Sequence, residues 1–164
     1  MLDLSKHDRS QFNCEDPSFT EWLQRYSGQS RRGNTAATWV IADGSGQVVA
    51  YATLSMFAIN RSKAPRKLGK AAPDPVPALL IGRLAVDQTA AGMGLGTALV
   101  KHILATAVEL NLQAACRAVV VAALNDAARR WWNRLGFTPF DPDDPNNFDL
   151  YLLTDDVAAT LNAL

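Results

Sequence analysis

Cysteine is scarce in this 164-residue chain, and the two that occur, Cys14 and Cys116, are far apart in sequence. No CxxC pair or other ligand-like spacing is present, so neither a zinc site nor a disulfide framework is indicated. We predict no metal site. Cysteine used this sparingly is typical of a reducing environment, and we expect a cytoplasmic protein.

The sequence also lacks an uninterrupted apolar run of the roughly 20 residues that span a bilayer, and residues 1–8 are largely polar. We therefore expect no membrane segment and no secretory signal. The formal net charge is zero, with 16 basic and 16 acidic residues, so no overall field directs the protein to nucleic acid or membrane. Histidine is equally scarce, and we interpret His7 and His102 as surface residues.

Charge is distributed unevenly despite this balance. Asn60–Ala78 contains several prolines and no apolar periodicity, which predicts an extended, exposed connection. Most basic side chains in such loops are only solvated surface, but a local basic surface is the alternative. The basic cluster of this segment consists of Arg61, Lys63, Arg66, Lys67 and Lys70.

The hydrophobic content of 48% is enough for one core, and we predict a single domain over residues 1–164. Apolar spacing, β-branched runs and turn residues predict the order of elements. We expect helices over 17–27, 95–110 and 125–135, an antiparallel hairpin of 37–42 with 47–57, and strands over 78–86, 117–123 and 148–153. The strand over 117–123 follows a helix and should lie parallel to that over 78–86, in which Gly82 indicates a bulge.

The most informative pattern is an apolar strand ending at Val86, followed by Gly92, Gly94 and Gly96 and then by a helical repeat. The first N–H groups of a helix have no partner within it, so a glycine-rich approach forms a receptor for phosphate. Glycine also serves tight turns and close packing, which is the competing structural interpretation. We expect an anionic ligand at this turn.

Two common phosphate-binding motifs do not fit. A P-loop requires Gly-Lys-Ser/Thr, whereas Gly96 is followed by Thr97 and Ala98. A Rossmann motif has G-x-G-x-x-G after the first strand of several βαβ units, whereas these glycines come late, after antiparallel strands. ATP hydrolysis and dinucleotide binding are therefore not expected.

The whole pattern resembles the GNAT family of N-acetyltransferases, which bind acetyl-coenzyme A. The resemblance rests on the strand Leu84–Val86, the Gly94-x-Gly96 turn, a helix, a strand ending near Asn125, and Leu135-Gly136-Phe137. It covers nearly the whole chain and implies an α/β (α+β) fold with a central mixed antiparallel and parallel twisted sheet flanked by helices.

Shorter phrases look like the acetyltransferase toxins of bacterial toxin–antitoxin modules, which acetylate the amino group of aminoacyl-tRNA. These phrases are Phe12-Asn13-Cys14, Trp22-Leu23 and Gly82–Asp87, together with the basic cluster. The toxin resemblance implies a homodimer and a small DNA-binding antitoxin as partner.

The family resemblance also implies the cofactor contacts. Leu84, Ala85 and Val86 would pair with the pantetheine arm, and the Leu84 N–H would face the thioester carbonyl, where negative charge develops during acyl transfer. Asn125 would hold the cofactor by side-chain hydrogen bonds. The pyrophosphate would rest on the turn formed by Ala91, Gly92, Met93, Gly94, Leu95, Gly96 and Thr97.

Two positions depart from the family. Ala91 replaces a usual Gln or Arg, which predicts somewhat weaker cofactor binding. Trp132 occupies the usual position of the tyrosine that protonates the departing thiolate, and an indole N–H is far too weak an acid for this. A thiol with a pKa near 8.5 can nevertheless leave as a thiolate. We interpret Trp132 as packing beside the cofactor and Trp131 as a core residue.

No His or Glu in the motif offers itself as a general base. The amine of an aminoacyl ester has an unusually low pKa and is partly neutral near pH 7, which suits an aminoacyl-tRNA acceptor better than a lysine. Phosphates of the tRNA would contact Arg31, Arg32, Arg83 and the basic cluster. The alternatives are an acetyltransferase acting on a small amine or peptide, and a catalytically impaired coenzyme A-binding protein.

Overall fold

The computed structural model describes residues 1–163. The helices are α1 (Pro17–Glu21), α2 (Ser27–Arg32), α3 (Arg66–Gly69), α4 (Leu95–Asn111), α5 (Asp126–Arg134) and α6 (Val157–Ala163). The strands are β1 (Ala37–Ala42), β2 (Val48–Ile59), β3 (Val76–Val86), β4 (Ala118–Ala122), β5 (Thr138–Pro139) and β6 (Asp149–Leu153). A π-helical turn, Trp22–Tyr26, joins α1 to α2, and short 3-10 turns lie at Arg61–Lys63, Gln88–Ala90 and Thr154–Asp156.

The strands form a six-stranded mixed sheet in the order β1-β2-β3-β4-β6-β5. β1 pairs antiparallel with β2, β3 pairs parallel with β4, and β6 pairs antiparallel with both β4 and β5. The predicted mixed sheet with flanking helices is confirmed, as are the hairpin and the parallel pair.

The chain divides into two compact units, and the first contains Met1–Ser55 and Gly82–Val100. Its core is built around Tyr51, which is fully buried and donates a hydrogen bond from its hydroxyl to the Phe19 carbonyl oxygen at 2.8 Å. Burial raises the pKa of the Tyr51 hydroxyl far above its usual value. Other members of this core are Phe12, Cys14, Leu23, Val48 and Ala85.

The second unit contains Met56–Ile81 and the chain from Lys101 onward. Its core includes fully buried Leu68 and Val76, which pack with residues of β4 and β6. The prediction that Asn60–Ala78 is an exposed, extended connection is therefore wrong in part. The segment forms a 3-10 turn and α3, and it contributes Leu68 to the core, although its basic side chains are exposed as expected.

The helices agree with their patterns in most places. α4 covers the predicted range, and Asn125 caps α5 as the sequence indicated. The first predicted helix instead continues to Arg32 through the π-helical turn, while β5 and α6 were not anticipated. Within residues 1–163, no helix combines the length and the apolar character that crossing a bilayer requires.

Candidate active site

The parallel pairing of β3 with β4 runs from Ala78 opposite Ala118 to Ile81 opposite Val121. β3 itself continues to Val86. Where a strand extends beyond the end of its neighbour, its backbone N–H and C=O groups on the neighbour's side stay free. These groups can pair with an extended ligand. The predicted pantetheine-binding residues Leu84, Ala85 and Val86 lie in this continuation.

The backbone hydrogen bonds of β3 do not alternate regularly between its two neighbouring strands. The Pro77 carbonyl oxygen accepts a hydrogen bond from the Arg117 N–H on the β4 side, whereas the Asp87 N–H donates to the Val49 carbonyl oxygen of β2. Backbone groups in a regular strand point to alternate sides, so residues 77 and 87 would face the same neighbour. The alternation is therefore interrupted once between them, as a bulge would do.

The glycine turn follows directly and exposes backbone donors. Gly92 and Gly94 have positive φ angles of 78° and 76°, which favour glycine, and a Cβ on either would meet no atom within 4 Å. Among residues 1–163, no protein acceptor bonds the N–H groups of Gly92, Gly94, Leu95, Gly96 and Thr97. An open space above unpartnered N–H groups at a helix N-terminus fits a pyrophosphate. Ala91 and Met93 are exposed within this turn.

Asn125 lies in the second unit and has a structural role of its own. Its side-chain oxygen accepts a hydrogen bond from the Ala128 N–H at 2.9 Å and so caps α5. The side-chain NH₂ group has no partner in the part of the chain that the structure describes, which leaves its two donors available to a ligand.

Trp132 is a core residue with only 4% of its surface exposed, whereas Trp131, the residue predicted for the core, is half-buried. The Trp132 ring meets those of Trp131 and Phe137 edge to face, with centroid distances of 4.8 and 4.9 Å. Such contacts stabilise the packing of large rings. The position that the family uses for an acid therefore holds an aromatic residue anchored in the second unit.

The guanidinium group of Arg83 lies over aromatic rings of the first unit. Its guanidinium carbon is 4.7 Å from the ring centre of Trp22 and 5.9 Å from that of Phe19, and Trp22 stacks in turn on Tyr51 at 5.8 Å. The rings attract the positive charge, and no acceptor among the described residues bonds the Arg83 side-chain N–H groups, which stay available to a phosphate. The sequence indicated Arg83 but gave no sign that Phe19 and Trp22 support it.

The other basic candidates differ in their partners. Lys67 forms an ion pair with Asp156 at 2.9 Å, and the Arg61 guanidinium donates to the Ala72 carbonyl oxygen at 3.1 Å. Arg31 donates to the Leu2 carbonyl oxygen, while Arg32 at the end of α2 is exposed. Lys63, Arg66 and Lys70 are exposed, and their side chains have no partner among the described residues.

If Arg83 contacts a phosphate of the acceptor, Arg83→Ala is expected to raise the KM for the acceptor about five- to tenfold, because the cation–π support and that contact would together contribute about 1 kcal/mol or slightly more. The KM for acetyl-CoA should stay unchanged. The matched control is Arg25→Ala, which removes an exposed arginine whose only ion-pair partner among the described residues is Glu21 at 3.0 Å. Steady-state kinetics with each substrate varied will separate the two constants, and an equal loss in both variants would contradict a contact with the acceptor.

β3 extends beyond its parallel neighbour and leads into a glycine turn with unpartnered N–H groups. This combination is typical of a protein that binds an elongated anionic cofactor. The family model described as "Acetyltransferase (GNAT) family" matches residues 2–137. The chain belongs to this family, which confirms the resemblance inferred from the sequence and the prediction of an acetyl-CoA-dependent acetyltransferase.

Individual relatives cover almost the whole chain. A tRNA-acetylating toxin of Mycobacterium tuberculosis (strain ATCC 25618 / H37Rv) is 30% identical over 154 residues, which cover 94% of this chain and 90% of the relative. AtaT complexed with acetyl-methionyl-tRNAfMet has a TM-score of 0.85 at 24% identity, covering 96% of this chain and 94% of AtaT. A mutant AtaT bound to the C-terminus of the antitoxin AtaR and acetyl-CoA has a TM-score of 0.80 at 24% identity, covering 97% of this chain and 93% of that one.

Proposed function

We propose that the protein transfers the acetyl group of acetyl-CoA to the amino group of an aminoacyl-tRNA and so blocks translation. The observation that carries the donor half is the glycine turn, in which the N–H groups of Gly92 and of Gly94 to Thr97 have no partner among the described residues and open space lies at Gly92 and Gly94. The acceptor half is supported by the similarity over 94% of the chain to a relative named for tRNA acetylation. A direct test is transfer of labelled acetyl from acetyl-CoA to charged and uncharged tRNA, with only the charged form modified.

Different segments of the chain would hold different parts of the cofactor. The unpartnered N–H groups of Gly92 and of Gly94 to Thr97 bind the pyrophosphate, and the free edge of β3 from Leu84 to Val86 pairs with the pantetheine arm. The family resemblance, rather than the geometry, assigns a further hydrogen bond to the Asn125 NH₂ group. Bound acetyl-CoA supplies an acetyl group activated as a thioester.

The break in β3 supports the proposed role of Leu84. If the break lies at Gly82, the N–H groups of even-numbered residues after it point away from β2. They then lie on the edge of β3 that is no longer paired with β4. The Leu84 N–H can then donate to the thioester carbonyl oxygen as negative charge develops there. A Cβ at Gly82 would lie 3.1 Å from the Thr53 hydroxyl oxygen, so this position favours glycine.

Proton transfer needs no strong acid or base from the chain. The buried Trp132 holds the fold of the second unit and donates no proton, because the departing thiol, with a pKa near 8.5, leaves as a thiolate. The amine of an aminoacyl ester is partly neutral at pH 7 and attacks in that form, and its nitrogen loses a proton to water as the amide bond forms. We propose a cytoplasmic homodimer, and the AtaT–AtaR complex supports a small antitoxin as its partner.

Replacing Lys63, Arg66 and Lys70 together by alanine should weaken tRNA acetylation strongly at low salt. If each side chain contacts one phosphate, the slope of log KM for tRNA against log salt concentration should fall by about two to three. These three are chosen because Lys67 is held by Asp156 and Arg61 by a backbone oxygen.

The matched control removes the same charge from another region of the second unit, by changing Lys101, Arg130 and Arg134 to alanine. This variant should keep the salt slope within about half a unit of wild type. Unchanged tRNA acetylation by the first variant would refute the proposed tRNA surface, and transfer to polyamines or peptides with none to charged tRNA would indicate a small-amine enzyme instead.

A further inference from the structure

Asp87 is a buried carboxylate at the start of the glycine turn, and the proposed chemistry does not use it. Only 7% of its surface is exposed. One carboxylate oxygen accepts hydrogen bonds from the backbone N–H and the hydroxyl of Thr89, at 2.9 and 2.7 Å. The other accepts from the backbone N–H of Asn13 at 2.7 Å, across 74 residues of sequence. Both oxygens are therefore engaged.

The backbone around Asp87 links the same parts of the first unit. Its N–H donates to the Val49 carbonyl oxygen of β2 at 2.8 Å, and the next N–H, of Gln88, donates to the Asn13 carbonyl oxygen at 2.9 Å. Asn13 is itself fixed, because its neighbours Phe12 and Cys14 are buried in the first core. Strand β2, the N-terminal segment and the 3-10 turn all meet at this residue.

The turn beyond Asp87 has few other attachments. Residues 91–94 are exposed, and the backbone bonds from Ala91 to Gln88 and from Met93 to Ala90 are long, at 3.4 Å each. The turn is therefore fixed at its end by α4 and at its beginning by Asp87.

The environment keeps Asp87 ionised. Burial alone would raise its pKa, but the hydrogen bonds from Thr89 and Asn13 outweigh burial and place the pKa below its usual value. A buried charge of this kind strengthens the hydrogen bonds that it accepts.

We propose that Asp87 is a positioning residue for the acetyl donor: it ties the glycine turn to β2 and to the Asn13 segment so that the unpartnered N–H groups converge on the pyrophosphate. The proposal deepens the proposed function and rests on coenzyme A being the ligand. Asp87 does not touch the reacting atoms, and its effect reaches them through the turn.

The chain offers a matched control for this carboxylate. Asp43, in the β1–β2 turn, accepts hydrogen bonds from the N–H and the hydroxyl of Ser45, at 2.8 and 2.6 Å, and from the Gln47 N–H at 3.0 Å. The local arrangement matches that of Asp87 with Thr89, but all donors to Asp43 are within four residues. Asp43→Asn therefore removes the local charge without releasing a distant segment.

The test measures coenzyme A binding by titration calorimetry, together with hydrogen–deuterium exchange of the free protein. Asp87→Asn should raise the Kd for coenzyme A about tenfold. The amide of asparagine keeps one acceptor oxygen, which is no longer charged, and its NH₂ group cannot accept the other hydrogen bond. Exchange should speed up in particular at the hydrogen-bonded amides around Asp87, which are those of Asn13, Gln88 and Ala90. Asp43→Asn should bind coenzyme A within about twofold of wild type, since the turn keeps its anchor.

The outcomes separate the two proposals. A wild-type protein that fails to bind coenzyme A refutes the proposed function. A wild-type protein that binds it, with an Asp87→Asn variant of equal affinity, refutes only the positioning role. Faster exchange throughout the first unit, β1 and β2 included, would show that Asp87 merely stabilises the fold and would also overturn the proposal.

Discussion

Gly94→Val is expected to weaken binding of acetyl-CoA about 100-fold or more, because the new side chain enters the space that we propose for the pyrophosphate. A β-branched residue also resists the positive φ of 76°, so the turn itself changes conformation. Titration calorimetry with coenzyme A measures the affinity, and thermal unfolding measures the accompanying loss of stability.

Gly44→Val is the control for this substitution. Gly44 lies in the β1–β2 turn, where a Cβ would also meet no atom within 4 Å, but its φ is not positive. Its variant should bind coenzyme A as wild type does. Retention of wild-type affinity by Gly94→Val would show that the glycine turn is structural only and would remove the main support for the donor site.

Trp132→Ala should lower the free energy of unfolding by about 3–5 kcal/mol, since it leaves a cavity beside Trp131 and Phe137. Trp132→Phe keeps an aromatic ring and should retain kcat within about threefold, because in the mechanism that we propose no proton passes through this residue. Loss of a general acid would instead lower kcat about 10²–10⁴-fold. Chemical denaturation and steady-state kinetics provide the two measurements.

Trp131→Ala serves as the matched control, because Trp131 is only half-buried and its loss should cost less stability than the loss of Trp132. A 100-fold loss of kcat in Trp132→Phe at unchanged stability would contradict our interpretation and assign the indole a chemical role. A large gain of kcat in Trp132→Tyr would instead indicate that the present chain is catalytically impaired for want of an acid.

Local patterns predicted the parts of the fold that depend on neighbours in sequence. The steps from Leu95 to Leu110 mark one face of a helix, and α4 covers that range. Asn125 and Gly136 bracket α5 because capping and helix termination involve only nearby residues. The glycine turn was recognisable for the same reason.

Contacts between distant residues could not be predicted in this way. Leu68 is an isolated apolar residue in a proline-rich stretch, so nothing in the pattern indicated its burial in α3. The ion pair of Lys67 with Asp156 spans 89 residues, and the bond from Asn13 to Asp87 spans 74. The position of Asp87 in the toxin-like phrase was recognised, but its link to the N-terminal segment depends on tertiary packing.

Because Asn125 caps α5, only some residues could replace it. Serine, aspartate and asparagine all cap helices well, so the helix alone would tolerate any of them. Only asparagine combines the capping oxygen with two further donors, and aspartate would present negative charge where an anionic ligand is proposed. Of these three residues, asparagine alone therefore serves both the cap of the helix and the cofactor contact that we propose.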